Sequence, residues 1–273
     1  MNKYLSIIFL LLSFTPVFGQ GQICSFVVKE GQSVGVSQDT PCPLFSVVKF
    51  PQALFVADAV EKSGHSLDDE IAVRKADLMQ DTWSPMLKLF TEESRRFSIA
   101  ELLRLSLQES DNNACQILFD ELGNPRKVQQ YVHKLGFKGI SIRVTERQMM
   151  ENKECSFLNT SSAKEMARLL EWFYQHKDDN PNLSFVWRTM SSCDTGALRI
   201  PSAVKSDDVV VHKTGTGFPT ENGISAINDV GIILHQDGCH TIAVIFVLNH
   251  PGSPSDAEKC LSASLKESIA SLQ

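Results

Sequence analysis

The chain has 273 residues, 42% of them apolar, which is enough for one large domain or two interleaved smaller ones around a substantial core and excludes disorder over most of its length. A formal net charge of -6, spread over mixed-sign sequence without a long Lys/Arg block, excludes the electrostatic footprint of a nucleic-acid or anionic-membrane partner. A small-molecule partner is expected.

Residues 1–19 read as an export signal. Lys3 supplies the positive start, residues 4–14 the apolar stretch, and Val17, Phe18 and Gly19 the cleavage site. A membrane anchor needs about 18 or more apolar residues, and Ser13, Thr15 and Pro16 interrupt the run too early. Cys24 does not make a lipoprotein signal, because Ile23 stands where a small residue is needed. The seven cysteines (Cys24, Cys42, Cys115, Cys155, Cys193, Cys239 and Cys260) make disulfides possible in an exported chain, and their odd number leaves at least one unpaired in a monomer. The sequence does not assign pairs, and isolated buried thiols are the expected state. With no CxxC, HExxH or clustered His, neither a metal site nor a metal cofactor is expected.

Two β-like stretches, 25–28 and 33–36, flank the turn-forming residues 29–32. Residues 46–62 have helical apolar spacing, and Gly64 is placed to end the helix. From 77 to 170 the pattern is mainly helical. Within it Ser98 and Glu101 are spaced as a capping box, and Gly123 closes the helix or helix pair that follows. Beyond Pro201 the chain turns rich in β-branched residues at 209–211, 231–234 and 241–248, with Gln236, Asp237 and Gly238 as a tight turn. Residues 256–272 are amphipathic and should form a terminal helix over the sheet. Strands at both ends with helices between imply an α+β fold: a discontinuous sheet domain (20–60 and 200–273) carrying an inserted all-helical domain (61–199).

Three segments carry chemistry. In Phe45-Ser46-Val47-Val48-Lys49 the Ser and Lys lie three positions apart at the expected start of a helix, hence on one face, where the amine can accept the proton that makes Ser46 nucleophilic. Ser110-Asp111-Asn112 sets a hydroxyl near a carboxamide, a pairing that can relay a proton and orient an amide, and that equally describes a polar break between helices. Lys213-Thr214-Gly215-Thr216-Gly217 directly follows the strand at 209–211; its Lys and Thr can bind a carboxylate, and its glycines can let a substrate approach the backbone.

SxxK, SDN and KTG in this order, about 60 and 100 residues apart, resemble the motif set of class A β-lactamases and penicillin-binding proteins. The likeness runs from Pro43 to the C-terminus. Residues 81–85 resemble the segment that places an aromatic, here Trp83, at the cleft mouth. Residues 195–199 resemble the stretch whose basic residue, here Arg199, helps hold the substrate carboxylate. Residues 143–149 resemble the omega loop of a Bacteroidetes-type, cephalosporin-hydrolysing subgroup, in which Glu146 matches the base that activates the deacylating water.

The resemblance implies a β-lactamase/transpeptidase-like fold and a secreted, periplasmic, monomeric enzyme without cofactor, acting on penicillins or cephalosporins. Ser46, Lys49, Ser110 and Glu146 would be catalytic. Asn112, Lys213, Thr214, Gly215, Thr216, Arg199 and Trp83 would bind substrate. Two features depart from the family pattern: Met150 stands where many members have an Asn that helps hold the water, and the span before Ser46 has room for two strands but not for the helix that usually precedes them. A D-Ala-D-Ala carboxypeptidase and a non-hydrolysing penicillin-binding sensor remain as alternatives, against which Glu146 and the cleavable signal argue.

Overall fold

A computed structural model describes residues 21–272, so the export signal expected at 1–19 lies outside the described residues. The chain enters as a hairpin, β1 (Gln22–Lys29) and β2 (Gln32–Val36), turning through Glu30 and Gly31 at φ 48° and 79°. Positive φ at both central positions is the geometry that a two-residue hairpin in a right-twisted sheet demands. The short β3 (Cys42–Pro43) then leads into a 3-10 turn at Phe45–Val48 and helix α1 (Lys49–Ser63), which Gly64 ends at φ 71°.

Next come β4 (Glu70–Arg74), β5 (Ser94–Ser98), α2 (Ile99–Leu107), α3 (Asn112–Glu121), α4 (Pro125–Lys134), α5 (Glu146–Glu151), β6 (Thr160–Ser161), α6 (Ala163–His176) and α7 (Pro181–Met190). The chain returns to the sheet through α8 (Ile200–Ala203), β7 (Val209–Thr216), β8 (Pro219–Thr220), β9 (Gly223–Leu234) and β10 (His240–His250). It closes with α9 (Pro254–Ser271).

The main sheet is six-stranded and antiparallel, in the order β2-β1-β10-β9-β7 with β8 on β9. Side chains alternate across it. Cys24, Val230, Val244 and Phe246 face an inner core beneath α1 and α6, whereas Val27, Ile227, Ile245 and Val247 face an outer cluster closed by Leu261 and Leu265 of α9. The expected capping box at Ser98 forms in both directions, Glu101 N to Ser98 Oγ at 3.1 Å and Ser98 N to Glu101 Oε2 at 2.9 Å, an arrangement worth about 1 kcal/mol.

Two expectations are corrected, and one alternative left open is decided. The segment 61–199 is not all-helical: β4 and β5 pair from Glu70 opposite Ser98 to Arg74 opposite Ser94, and β6 pairs with β3. Only Val73 and Phe97 of the β4–β5 ribbon are buried, so it carries no long apolar alternation. Of the helix or helix pair left open after Ser98, the structure has the pair, broken at Ser110 by φ 58°. The Lys-Thr-Gly motif, expected after its strand, lies inside β7, paired with β9 from Lys213 opposite Val230 to Thr216 opposite Ile227. Among the described residues no helix precedes β1, in keeping with the short span before Ser46.

Candidate active site

Ser46 belongs to the 3-10 turn and Lys49 begins α1, so a single turn of helix brings Lys49 Nζ to 3.1 Å from Ser46 Oγ. The turn is entered through Phe45 at φ 48°, a conformation that costs a non-glycine residue roughly 1–3 kcal/mol and must be held by its surroundings. Here the Phe45 ring packs edge-on against Phe157 and Phe218, with centroids 6.0 and 6.2 Å away. Beneath the turn, a Cβ on Gly215 would stand 2.5 Å from the Leu44 carbonyl oxygen. The absent side chain at Gly215 therefore lets β7 pack against the serine's own turn, where the sequence suggested room for substrate.

Lys49 is wholly buried. Its ammonium donates to Asn112 Oδ1 at 2.6 Å, to the Ser110 carbonyl at 2.7 Å and to Ser46 Oγ, and lies 3.4 Å from Glu146 Oε1. Glu146 Oε1 is itself buried without a hydrogen-bond partner. Lys213, also wholly buried, donates to Ser110 Oγ at 3.0 Å and to the Thr214 carbonyl at 3.1 Å. Ser110 thus joins the two lysines, its carbonyl to one and its hydroxyl to the other. Burial first, and then the Lys49 charge, push the Lys213 ammonium down to about 7.

Supports hold each of these groups. Asp111 caps α3 by accepting from Ala114 N at 2.8 Å and also accepts from Met86 N at 2.7 Å, which fixes the bend at Ser110. Glu146 opens α5 behind Thr145, which forms a capping box with Gln148. The loop before it is pinned by Asn159, whose Oδ1 accepts from Arg143 N and Val144 N and whose Nδ2 donates to the Val144 carbonyl. Behind Lys213, His212 Nδ1 meets Asp229 at 2.9 Å, both buried; burial opposes the imidazolium, but the aspartate and the neighbouring Cys193 outweigh it and raise His212 to about 10.

Ser46, Trp83, Asn112, Glu146 and Thr216 line one cleft of about 320 Å³, in the size range of small-molecule sites. Trp83 is 63% exposed at its mouth, and Met150 lines the same wall. Lys49, Ser110 and Lys213 form the layer behind. Deeper still, Thr214 Oγ1 lies 2.6 Å from Thr195 Oγ1, and Arg199 is 5% exposed and bonded to Glu258, Gly215 O, Asn228 O and, through Nη2, Thr216 Oγ1 at 2.8 Å. Arg199 reaches the cleft through Thr216, not as an open cation.

The sequence reading missed Phe45, Phe218, Met149, Lys153 and Ser156 on the cleft wall, and the supports Asn159 and His212–Asp229. The Thr145-x-x-Gln148 spacing was a legible signal for the start of α5; the others follow no local spacing.

A serine hydroxyl 3.1 Å from a lysine amine, with a carboxylate 3.4 Å from that amine, is an arrangement suited to serine enzymes that pass through a covalent acyl intermediate. Comparison with known proteins narrows this. Residues 15–266 match the Beta-lactamase enzyme family. A β-lactamase from Bacteroides uniformis is 32% identical over 210 residues, 76% of this chain and 71% of that protein. The extended-spectrum β-lactamase PER-1 of Pseudomonas aeruginosa is 30% identical over 240 residues, 83% of this chain and 78% of that one. A representative class A β-lactamase structure from Bacteroides cellulosilyticus has a TM-score of 0.84 at 27% identity, covering 92% of this chain and 93% of that one. The chain belongs to the β-lactamase enzyme family, as a class A serine β-lactamase.

Proposed function

We propose that this enzyme opens the β-lactam ring of penicillins or cephalosporins by acylating Ser46, and that water activated by Glu146 then hydrolyses the ester. The observation that carries the second half is Glu146 Oε1, 3.4 Å from Lys49 Nζ, on the cleft wall and free of any hydrogen-bond donor. An ammonium has three protons and no acceptor, so Lys49 must first lose one to take the Ser46 proton. Glu146 is the acceptor beside it, and the Lys49 amine then receives the Ser46 proton as Oγ attacks the lactam carbonyl.

The Ser46 and Thr216 backbone N–H groups hold the oxyanion, each such donor being worth about 3 kcal/mol. Ser110, hydrogen-bonded to Lys213, hands its hydroxyl proton to the departing ring nitrogen and is reprotonated by the Lys49 ammonium beside it, while Glu146 returns its proton to Lys49 and is a carboxylate again. Glu146 then removes a proton from water attacking the ester and passes it by way of Lys49 to the departing Ser46 Oγ. Asn112 orients the substrate's side-chain amide. Lys213 and Thr214 bind its carboxylate, with Arg199 acting through Thr216. The exported enzyme works in the periplasm, a reading carried by residues 1–19; no described helix is long and apolar enough to cross a membrane.

Quenching the enzyme with a β-lactam at short times and mapping its peptides tests this directly. An acyl adduct is expected on Ser46, absent in Ser46→Ala; an adduct on another residue overturns the assignment.

A pH dependence follows from Lys213, held down to about 7. Below that pH it is an ammonium paired with the substrate carboxylate; as pH rises through about 7 the charge and the pairing are lost. KM is expected to rise up to about tenfold between pH 6 and 8.5, and to flatten in Lys213→Arg, whose guanidinium stays charged. A KM that stays level in the wild type contradicts this.

A further inference from the structure

Cys24 and Cys42 sit on different elements, β1 and β3, and both are 0% exposed. Along β1, Ile23 and Val27 join the outer apolar cluster and Cys24, Phe26 and Val28 the inner one, as strand alternation requires. Cys42 belongs to that same inner cluster. Both thiols therefore point into the space between the sheet and the helices, and there the two side chains lie against each other. Beyond that contact, Cys42 Sγ lies 3.3 Å from the Thr40 carbonyl. The other five cysteines have different neighbours: Cys115 lies beside Glu146, Cys193 beside His212 and Thr195, Cys239 on Asp237 at 2.8 Å, Cys155 in the turn after α5, and Cys260 on α9.

We propose that Cys24 and Cys42 form a disulfide in the exported protein, tying β1 to the strand that leads into the nucleophile. The inference rests on the export reading of residues 1–19, because such bonds persist in oxidising compartments. In the closing step each thiol loses its proton and the Sγ–Sγ bond forms. The two electrons pass to a disulfide-bearing oxidoreductase of that compartment, which is left as a dithiol.

The structural consequence is local. Only Pro43, Leu44 and Phe45 separate Cys42 from Ser46, so the cross-link fastens the serine's approach strand to β1. Closing the short loop between the two cysteines limits the freedom of the unfolded chain and leaves the Ser46–Lys49 geometry unchanged, so the gain falls on stability and not on turnover.

The test has two arms. In the first, full-length protein expressed with its own leader is purified without reductant, unfolded in iodoacetamide and digested for mass spectrometry. A peptide pair joined through Cys24 and Cys42 is expected, with the other five cysteines alkylated. In the second, folded and reduced protein is treated with oxidised glutathione, and the same linkage is expected. Linkage in the second arm alone retains the pairing and retires the export reading; alkylated Cys24 and Cys42 in both arms overturns the pairing. Thermal melting adds a second readout: reductant should lower the wild-type Tm by roughly 5–10 °C without slowing turnover, and leave the Cys24→Ala/Cys42→Ala double variant unmoved. A wild-type Tm indifferent to reductant also overturns it.

Discussion

In the Glu146→Gln variant, Ser46 is expected to open a β-lactam and keep it, giving one equivalent of acyl-enzyme by mass spectrometry and turnover about a thousandfold slower than the wild type. Glutamine preserves the shape and an oxygen next to Lys49 Nζ, where Glu146 now stands 3.4 Å away, but its amide cannot take a proton from water. Acylation also slows, because Lys49 loses the group that relieves it of a proton. Deacylation slows more: Lys49 and Ser110 still stand by the attacking Ser46, whereas the only other carboxylate among the described cleft-lining residues is Asp81. Hydrolysis at the wild-type rate, without an accumulated adduct, contradicts the assignment.

Lys49→Met removes the other half of the pair and should act on the opposite step. The lysine is wholly buried and its ammonium bonds Ser46, Ser110 and Asn112. Without it Ser46 has no neighbouring amine to receive its proton, and acylation is expected to fall by about 10²–10⁴ in rapid-mixing experiments. Glu146 is left 6% exposed without its counter-charge. Breaking a buried pair in this way costs about 3–5 kcal/mol, and access from the cleft places this one near the lower end, which a urea titration would read as a lower midpoint at unchanged slope. Lys49→Arg separates the two effects: the guanidinium restores the charge and much of the stability but stays protonated and does not restore acylation. An arginine variant as fast as the wild type would exclude Lys49 as a proton acceptor.

Much of this site was legible because its chemistry is encoded in short spacings. Ser46 and Lys49 are one helical turn apart, Ser110 and Asn112 are two residues apart, and Lys213 precedes its threonine and glycine on one strand. The capping pair Ser98 and Glu101 and the terminal helix were readable for the same reason: helix signals are local. The β4–β5 ribbon was not, since its strands are mostly polar and bury only Val73 and Phe97. The break at Ser110 was left open because polar residues there suit both a motif and a helix end.

The supporting contacts were invisible for a different reason. Asn159 serves Arg143 and Val144 from a separate element, and His212 finds Asp229 across paired strands, so no spacing within either segment announces them. Gly215 shows the converse: its type was read correctly as permitting close approach, but the approaching group is the Leu44 carbonyl of the protein itself. Arg199 was identified by its neighbours in sequence, yet its burial and its bond to Glu258 make it a strut for Thr216.

The most direct measurement is product released per enzyme molecule after mixing with excess chromogenic cephalosporin. Steady release far beyond one equivalent is expected for acylation at Ser46 followed by hydrolysis through Glu146. A burst that stops at one equivalent contradicts hydrolysis and leaves a protein that only binds its β-lactam covalently.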